Sequence, residues 1–511
     1  MEYVLIGVGG TGARILEAFT FLSAAGVLGE KIPKVHMRMI EMDTDNGNLE
    51  RLEKVLDCYS KCYDPVFSYV RDWQARKIIP SGSAPFVWQI GVQGNAATLS
   101  EKFNQGTENK NLLHGLYGSE DLALPLEEGC KGRPRIGALE YAKRFQDDIT
   151  TQSTNSFWNN LFSGELGTAQ GTGDLRIMFV GSMFGGSGAS GVPNIAKLVK
   201  EGLCSGKGNK VGLTLMSPFY SFNDTKVLDK KGAESKKFMI NSKTALMYYD
   251  QSDILDKIHS MYVVGAPVKE MCMSNDAAAN NSTGSKSQCN PAMPALLVAA
   301  LSALDFFINA DDNNSGQVVV AETIGSEVNN WNSYPYSGEL QKGIMKLQRL
   351  SLLWRLIKNK INADDLGDWG VLYQRYGKYK HFIPETFLNE TSAIRDFFLG
   401  QDVRTENSEP WNIGAEGFLL ELEKNGMKGP EGKEGAVDIS DVIQAIDLVN
   451  FTDRDDVGLN IAGVQLRDLH DKINRSARIN VGALRGDVEK RARFIAGVTK
   501  ASLPPQAAGR H

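Results

Sequence analysis

Several signatures of common protein classes are missing from this chain of 511 residues. Its six cysteines contain no Cys-x-x-Cys pair, and its six histidines contain no His-Glu-x-x-His motif. These absences argue against a zinc site or a disulfide framework. We therefore interpret the cysteines as reduced thiols of a cytosolic protein; they are Cys58, Cys62, Cys130, Cys204, Cys272 and Cys289.

An excess of positive charge and a long apolar run are also missing. The net charge of −5 does not favour nucleic acid or an anionic membrane as a partner. The most apolar stretch, 291–308, contains two prolines and Asp305, so it predicts a buried helix and not a membrane span. The first residues lack the basic leader of a signal peptide. We expect a cytoplasmic protein that binds no nucleic acid and has no transmembrane segment.

Glycine is present in quantity, and it lies between predicted strands and helices. An apolar strand over 3–6 is followed by Gly7-Val8-Gly9-Gly10-Thr11-Gly12 and by a helix over 13–24. This succession of strand, glycine loop and helix opens the nucleotide-binding sheets of α/β proteins. One interpretation is a dinucleotide site, in which Glu41, near the end of the next predicted strand at 36–42, would bind the ribose.

A second glycine-rich loop lies between a predicted strand over 176–180 and a predicted helix over 194–200. It has glycine at 181, 185, 186, 188 and 191, and serine at 182, 187 and 190. Backbone N–H groups of such a loop approach phosphate oxygens closely, and a helix N-terminus adds positive potential. The lysine of a P-loop is absent, so amides, helix dipole and metal would have to neutralise the phosphate. The alternative is a flexible linker.

If this loop binds phosphate, a side chain within it would occupy the space of the ligand. A valine at Gly186 or Gly188 is then expected to abolish nucleotide binding without unfolding the protein.

Short polar residues follow the second predicted strand. Asp43, Thr44 and Asp45 are of the types that bind sugar hydroxyls, phosphate-bound water or a metal ion. The alternative is an ordinary helix cap.

These three segments resemble the nucleotide loops of the tubulin/FtsZ superfamily, in the same order and at similar spacing. The first matches a G-V-G-G-G-G-type loop, and the second matches an N-T-D turn with aspartate in place of asparagine. The third matches the signature G-G-G-T-G-T-G-A-A-P and here reads Phe184-Gly185-Gly186-Ser187-Gly188-Ala189-Ser190-Gly191-Val192-Pro193. The resemblance covers residues 1–310 and implies GTP or GDP with Mg²⁺ as the ligand.

The resemblance also implies which residues contact the nucleotide. A glycine-rich loop before the predicted helix 138–146 would sense the terminal phosphate, and Lys131, Arg133 and Arg135 would add positive charge there. A solvated basic turn is the alternative. Phe219 or Phe222 would border the ribose, with packing in the core as the alternative for these rings, and Asn290 and Asn241 are two alternatives for the residue that recognises guanine. The implied contacts are Gly9, Gly10, Thr11, Gly12, Asp43, Thr44, Asp45, Gly132, Arg133, Gly185, Gly186, Ser187, Gly188, Ala189, Ser190, Phe219, Asn241 and Asn290.

A hydrolytic segment is implied at the end of the central helix, which is predicted over 291–307. Asn309 and Asp311 match the first two positions of the family motif N-x-D-x-x-D, which in polymers enters the next subunit's site and orients the attacking water. Asn314 stands where the last acid is expected, although Asp312 lies nearby. Hydrolysis needs a carboxylate to polarise water, so this departure bears on turnover more than on binding. A polar helix end is the alternative.

We therefore predict an α/β fold with a tubulin/FtsZ-like nucleotide-binding domain at 1–290, in which helices flank a parallel sheet. A central helix and loop follow at 291–315, then a divergent, mainly helical C-terminal domain at 316–511 with a disordered tail from about 502. The expected protein is prokaryotic, assembles head-to-tail into filaments and acts as a GTPase completed by the neighbouring subunit.

Two alternatives remain for the function. One is a nucleotide-gated scaffold that binds a partner protein through its C-terminal part. The other is a Rossmann-type NAD(P)-binding enzyme.

Overall fold

The structure is a computed structural model of the whole chain. It describes all residues except 43–46, 68–69, 91–97, 104–106, 125–129, 131, 151–155, 207, 222–234, 266–271, 274–290, 312–315, 323–333, 362–391, 401, 404–410, 425–459, 462–463, 466–474, 476–485 and 504–511.

In the described part of the chain, fourteen strands can be assigned, and eight of them form one sheet. The eight are β1 (Glu2–Val8), β2 (Lys34–Glu41), β3 (Lys77–Ile79), β4 (Val87–Gln89), β5 (Leu175–Ser182), β6 (Lys210–Met216), β8 (Ser260–Gly265) and β10 (Gln317–Glu322). Three short pairs complete the set: β7 (Tyr220–Ser221) with β9 (Cys272–Met273), β11 (Asp402–Val403) with β12 (Trp411–Asn412), and β13 (Asn460–Ile461) with β14 (Val464–Gln465).

The order across the large sheet is β10-β8-β6-β5-β1-β2-β3, and β4 also pairs with β2. The pairs β1–β2, β1–β5, β5–β6, β6–β8, β8–β10 and β2–β4 are parallel. Strands β1, β5 and β6 are buried along nearly their whole length, as expected when helices cover both faces of a parallel sheet. The predicted α/β class with a parallel sheet flanked by helices is confirmed.

The helices of the sheet-bearing part follow in chain order: α1 (Gly9–Ala24), α2 (Gly47–Val66), α3 (Leu99–Phe103), α4 (Thr107–Leu116), α5 (Ser119–Leu122), α6 (Pro134–Thr150), α7 (Phe157–Asn159), α8 (Gly167–Thr172), α9 (Gly186–Gly202), α10 (Ser235–Gln251), α11 (Ile254–Lys257) and α12 (Pro294–Asn309). A 3₁₀ turn at Arg71–Trp73 and a π-helix at Asn160–Glu165 accompany them. The remaining helices are α13 (Ser337–Ile361), α14 (Ser392–Leu399), α15 (Ala415–Lys424) and α16 (Gly486–Ala501). Within the described residues, no helix is long and apolar enough to cross a lipid bilayer.

Two compact units divide the chain. The first comprises 1–19, 34–52 and 78–325, and the second comprises 20–33, 53–77 and 326–511. Two short N-terminal segments, 20–33 and 53–77, are thus grouped with the C-terminal part. The predicted domains were each one continuous range, with limits at 290 and 315, and these limits stay predictions.

The first unit contains the sheet and a buried ion cluster beside it. Glu17 in α1 is fully buried, forms an ion pair with Arg14, and accepts a hydrogen bond of 2.8 Å from Nε of Arg51 in α2. The cluster ties the middle of α1 to the second turn of α2. Breaking such a buried pair leaves an uncompensated charge, so the cluster holds these two helices together.

The second unit has a core of its own. Helix α13 buries the apolar stripe that its sequence predicts, namely Leu340, Ile344, Leu347, Leu350 and Leu353. Aromatic rings also pack together there, with Phe21 4.7 Å from Phe418 and Tyr59 5.3 Å from Phe397 between ring centroids.

Both predicted glycine loops are largely the first turns of helices, which corrects the sequence-based expectation. Helix α1 begins at Gly9 and α9 begins at Gly186, so only 183–185 separate β5 from α9. Glycine is tolerated in these turns because the helix lies against a strand. A Cβ added to Gly188 would lie 2.6 Å from the carbonyl oxygen of Ser182, and one added to Gly191 would lie 2.7 Å from Val8 Cγ1.

Three other local predictions from the sequence are wrong: a helix over 66–77, an exposed connection over 150–173 and a helix over 464–484. None of the described residues from 67 to 77 belongs to an α-helix; they contain the 3₁₀ turn and the start of β3. The region 150–173 is not only an exposed connection, because Phe157, Trp158 and Phe162 are buried in the core of the first unit. The helix predicted over 464–484 fails at its start, since 464–465 form β14.

Candidate nucleotide-binding site

Two helix N-termini lie side by side at the carboxyl edge of the sheet. Strands β1 and β5 are parallel neighbours with Gly7 opposite Val180, and each leads into a helix, α1 or α9. A Cβ added to Gly9 would lie 3.1 Å from Cβ of Ser187 and 3.6 Å from N of Gly188. Gly9 also has φ of +67°, a conformation that favours glycine. The first and third sequence motifs therefore meet.

A third helix start reaches the same place. Helix α6 begins at Pro134, directly after the loop that contains Cys130 and Gly132. A Cβ added to Gly186 would lie 2.7 Å from Cβ of Cys130 and 3.0 Å from N of Gly132. The Sγ atom of buried Cys130 is also 2.8 Å from Sδ of Met42, just beyond the end of β2. The N-termini of α1, α6 and α9 thus converge.

The electrostatics of these three starts suit an anion. None of the three helices has an acidic residue in its first turn. The Ncap of α9 is Gly185, which makes no side-chain capping hydrogen bond. Amides at a helix N-terminus carry positive partial charge and bind phosphate well. The residues present therefore fit the phosphate groups of a nucleotide.

Asn241, on α10, connects two of the loops. Its Nδ2 donates to the carbonyl oxygens of Gly132 at 3.1 Å and of Phe184 at 3.0 Å. Both amide protons are then in use, so only the side-chain oxygen can still accept a hydrogen bond from a ligand. In this arrangement Asn241 holds the loop before α6 and the loop before α9 together.

The arginines of the α6 start are held by a buried acid. Arg133 Nη1 is 2.8 Å from Oδ1 of Asp121, and Arg135 forms an ion pair with the other oxygen of the same carboxylate. Asp121 is only 3% exposed. It offsets one of the two guanidinium charges, so less positive charge is available to a phosphate than the sequence suggests.

Other predicted contacts serve the packing of the protein. The hydroxyl of Ser190 donates to the carbonyl of Gly186 at 2.6 Å, within α9. Phe219 is fully buried, with its ring 6.0 Å from that of Phe184. Thr11 and Ala189 are buried, whereas Ser187 is half-buried.

A cleft opens beside the helix starts, between α6, α9 and α10. Its volume is about 830 Å³, within the range of small-molecule sites. Five of the predicted contacts line it: Gly132, Arg133, Ala189, Ser190 and Asn241.

Asn309 and Asp311 lie at the opposite edge of the sheet. Both are exposed at the end of α12, where Arg176 near the start of β5 donates to the carbonyl of Phe307. Strand β5 has eight residues. At about 3.3 Å per residue it separates the two edges by roughly 23 Å. The structure therefore brings together the glycine motifs but places the predicted hydrolytic segment, with Asn309 and Asp311, away from them.

Several predicted site residues lie outside the described part of the chain. They are Asp43, Thr44, Asp45, Lys131, Asn290 and Asp312. Among the described residues, no group of three or more His, Cys, Asp or Glu side chains could hold a metal ion.

Sequence reasoning missed the residues that support the two edges. Asp121 and the bracing role of Asn241 gave no signal, because their partners are far away in sequence. His259 and Lys210 immediately precede or begin predicted strands, which is a weak signal for residues at the amino edge of a parallel sheet.

No protein-family model matches the chain, and no curated protein matches it either. Among solved structures the chain is similar to CetZ1 from Haloferax volcanii, a GDP-bound monomer, with 11% identity over 52% of this chain and 51% of that chain and a TM-score of 0.27. CetZ2 from the same organism, a GTPγS-bound protofilament, shows 13% identity over 62% of this chain and 64% of that chain, with a TM-score of 0.28.

TubZ from Bacillus thuringiensis serovar israelensis, a GTPγS-form protofilament, shows 10% identity over 61% of this chain and 56% of that chain, with a TM-score of 0.23. The chain thus spans about half to two-thirds of the length of these three proteins, 51% to 64%. CetZ and TubZ are tubulin/FtsZ family members. Identities and TM-scores this low do not identify the function of this chain.

Proposed function

We propose that the protein binds a guanine nucleotide, with its phosphates at the meeting point of α1, α6 and α9. The convergence of three helix N-termini without an acidic residue in their first turns carries this proposal. Each N-terminus supplies backbone N–H groups and about half a unit of positive charge. Together they offer what a phosphate site needs in a loop without the P-loop lysine.

The choice of guanine is supported by the resemblance of the three motifs and by the position of Glu41. A dinucleotide site would require this carboxylate on the ribose. Glu41 is 1% exposed, and its Oε1 accepts the N–H of Met42 at 3.0 Å, so it is turned toward its own backbone. This disfavours the Rossmann-type NAD(P) alternative. Bound Mg²⁺ would neutralise phosphate charge, assisted through Asp43 or Asp45.

Calorimetry with GDP, ADP and NAD, each with Mg²⁺, tests the ligand. We expect GDP to bind, and to bind more tightly than ADP or NAD. Tight binding of NAD without binding of guanine nucleotide would contradict the proposal. Mass spectrometry of nucleotide that copurifies with the protein identifies the bound ligand independently.

The separation of the two edges supports head-to-tail self-association. Asp311 is too far from the phosphates of its own subunit to act on them, but the edge that carries it can meet the glycine edge of a second copy. Such a contact is heterologous and produces open filaments unless the rotation closes. Asn309 and Asp311 would then orient the water that attacks GTP bound by the neighbour.

Phosphate release and light scattering across protein concentration test the assembly. Turnover per subunit should rise with concentration, and Asp311→Ala should lose most turnover while binding GTP normally. Asp174→Ala is a matched control, because Asp174 is an exposed acid at the same edge. Turnover independent of concentration, with flat scattering in GTP, would favour the alternative of a nucleotide-gated scaffold.

A further inference from the structure

We propose that His259, Arg176 and Lys210 are positioning residues that hold the end of α12 and so direct Asp311 toward the neighbouring subunit. The inference rests on the proposed hydrolysis across the subunit interface. It adds a set of residues, from three adjacent strands, that would govern the reaction without touching the nucleotide.

The three side chains bind backbone carbonyls in the last turn of α12 and just beyond it. Arg176 donates to the carbonyl of Phe307, and Lys210 Nζ is 3.3 Å from the carbonyl oxygen of Ala310. His259 Nε2 is 2.5 Å from the carbonyl oxygen of Asp311 itself. The last carbonyls of a helix lack partners within the helix, and cations near them are favourable.

The partners of His259 determine its tautomer. A carbonyl oxygen only accepts hydrogen bonds, so Nε2 must carry the proton that it shares with Asp311. Nδ1 of the neutral ring then accepts from the hydroxyl of Ser260, whose Oγ lies 2.7 Å away. The ring is therefore fixed on both sides, and its donor fixes the backbone of the residue proposed to act on water.

The origin of the three side chains explains why they would position the segment. They come from β5, from β6 and from the residue before β8, which are neighbours in the sheet. A parallel sheet that is buried on both faces is a rigid frame, and Asp311 is thereby tied to it through backbone contacts. Misplacement of a reacting group by about 1 Å can cost about a hundredfold in rate.

A pair of variants at His259 separates positioning from packing. His259→Leu removes the donor at similar size, and His259→Gln keeps an N–H near the position of Nε2. With GTP we expect the leucine variant to lose about tenfold to a hundredfold in kcat, with GDP affinity and the KM for GTP within about twofold of wild type. The glutamine variant should recover most of the loss. Equal loss in both variants would overturn the inference.

A pH profile provides a readout that a purely structural role would not change. Burial lowers the pKa of His259, and the charges of Lys210 and Arg176 lower it further, against the raising effect of the Asp311 carbonyl and carboxylate. Protonation would place a third positive charge beside Arg176 and Lys210 and would convert Nδ1 into a donor facing Ser260. Wild-type turnover should therefore fall as the pH drops below the ordinary histidine range, and the glutamine variant should lack that fall. If turnover of the glutamine variant decreases at low pH as much as that of the wild type, the role of His259 is refuted.

Failure of this inference can be distinguished from failure of the proposed function. If Asp311→Ala keeps full turnover, hydrolysis across the interface is wrong and the inference falls with it. If Asp311→Ala is inactive and His259→Leu keeps turnover within about twofold, only the inference is overturned. A mixture of His259→Leu with a subunit that cannot bind nucleotide but has an intact α12 end should exceed the turnover of either alone.

Discussion

Gly185→Asp is the sharpest test of the phosphate site, because this position can accept a side chain. Gly185 is the Ncap of α9, with φ of −82° and ψ of 171°, a conformation open to any residue. A Cβ added there would approach only the Ser182 hydroxyl, at 3.0 Å, and this group can rotate away. Aspartate is also a favoured Ncap residue, so the fold should lose no stability.

The new carboxylate would compete directly with the phosphates. It would accept hydrogen bonds from the backbone amides in the first turn of α9, and its negative charge would repel the phosphates of the ligand. At about 5 Å and an effective dielectric constant of about 20, one pair of unit charges costs about 3 kcal/mol. That repulsion corresponds to a loss of affinity of about a hundredfold or more.

Isothermal titration with GDP measures the affinity for the nucleotide, and thermal unfolding measures the stability of the fold. Gly185→Asn is the matched control, since it has the same shape without the charge, and should bind within about threefold of wild type. If Gly185→Asp binds GDP as tightly as Gly185→Asn, the phosphates do not lie at the start of α9.

The contrast with Gly188→Val shows why the position matters. A Cβ at Gly188 would lie 2.6 to 2.7 Å from backbone and side-chain atoms of Ser182. We expect that variant to lose about 1–3 kcal/mol of stability. The expectation that it abolishes binding without unfolding the protein stays a prediction, but weaker binding by this variant would reflect altered packing as well as a blocked ligand, and Gly186→Val shares the problem through Cys130.

Three further predictions concern the supports of the site and of the sheet. Asn241→Leu removes two hydrogen bonds worth about 1 kcal/mol each, and titration should show GDP affinity lower by about tenfold. Glu165→Gln removes the carboxylate 2.5 Å from buried Arg38, and denaturant unfolding should show a loss of about 3 kcal/mol. Burial lowers the pKa of both His36 and His259, so the unfolded chain binds protons more readily and the melting temperature should fall as the pH drops from about 7.5 to about 5.5. His36→Gln should reduce that fall.

The sequence predicted the elements whose pattern is local. The apolar strands β1, β5, β6 and β8 and the stripe of α13 were recognisable from hydrophobic periodicity alone. The two glycine-rich segments at 7–12 and 181–191 could be placed at one edge because the parallel strands before them end together there. The structure adds α6 as the third helix start against Gly186.

Two kinds of feature could not be predicted from local pattern. The starts of α1 and α9 were placed too late, because glycine is a poor helix former and only its packing against Ser182 and Val8 makes the helix continue through it. The brace by Asn241 and the contacts of His259 join residues distant in the chain, and a single sequence gives no measure of such proximity.

The charges at the end of α12 bear on whether two edges could meet with nucleotide between them. In the described residues, Asp305 and Asp311 and the partial negative charge of the helix end lie at this edge, and an approaching triphosphate would be repelled by them. Arg176 and Lys210 offset the two carboxylates, and Asp305 is further held by Tyr262 and Asn309 at 2.7 and 2.8 Å.

Among the described residues around the end of α12, two cations then balance two carboxylates, which would lower the electrostatic cost of bringing Asp311 to a phosphate-bearing neighbour. Arg176 and Lys210, which are proposed to position Asp311, would then also permit the contact between two subunits. Lys210→Met should accordingly weaken assembly in GTP more than assembly in GDP, because the additional phosphate charge is no longer offset. Light scattering with the two nucleotides measures the difference, and equal weakening in both would show that Lys210 acts on the loop alone.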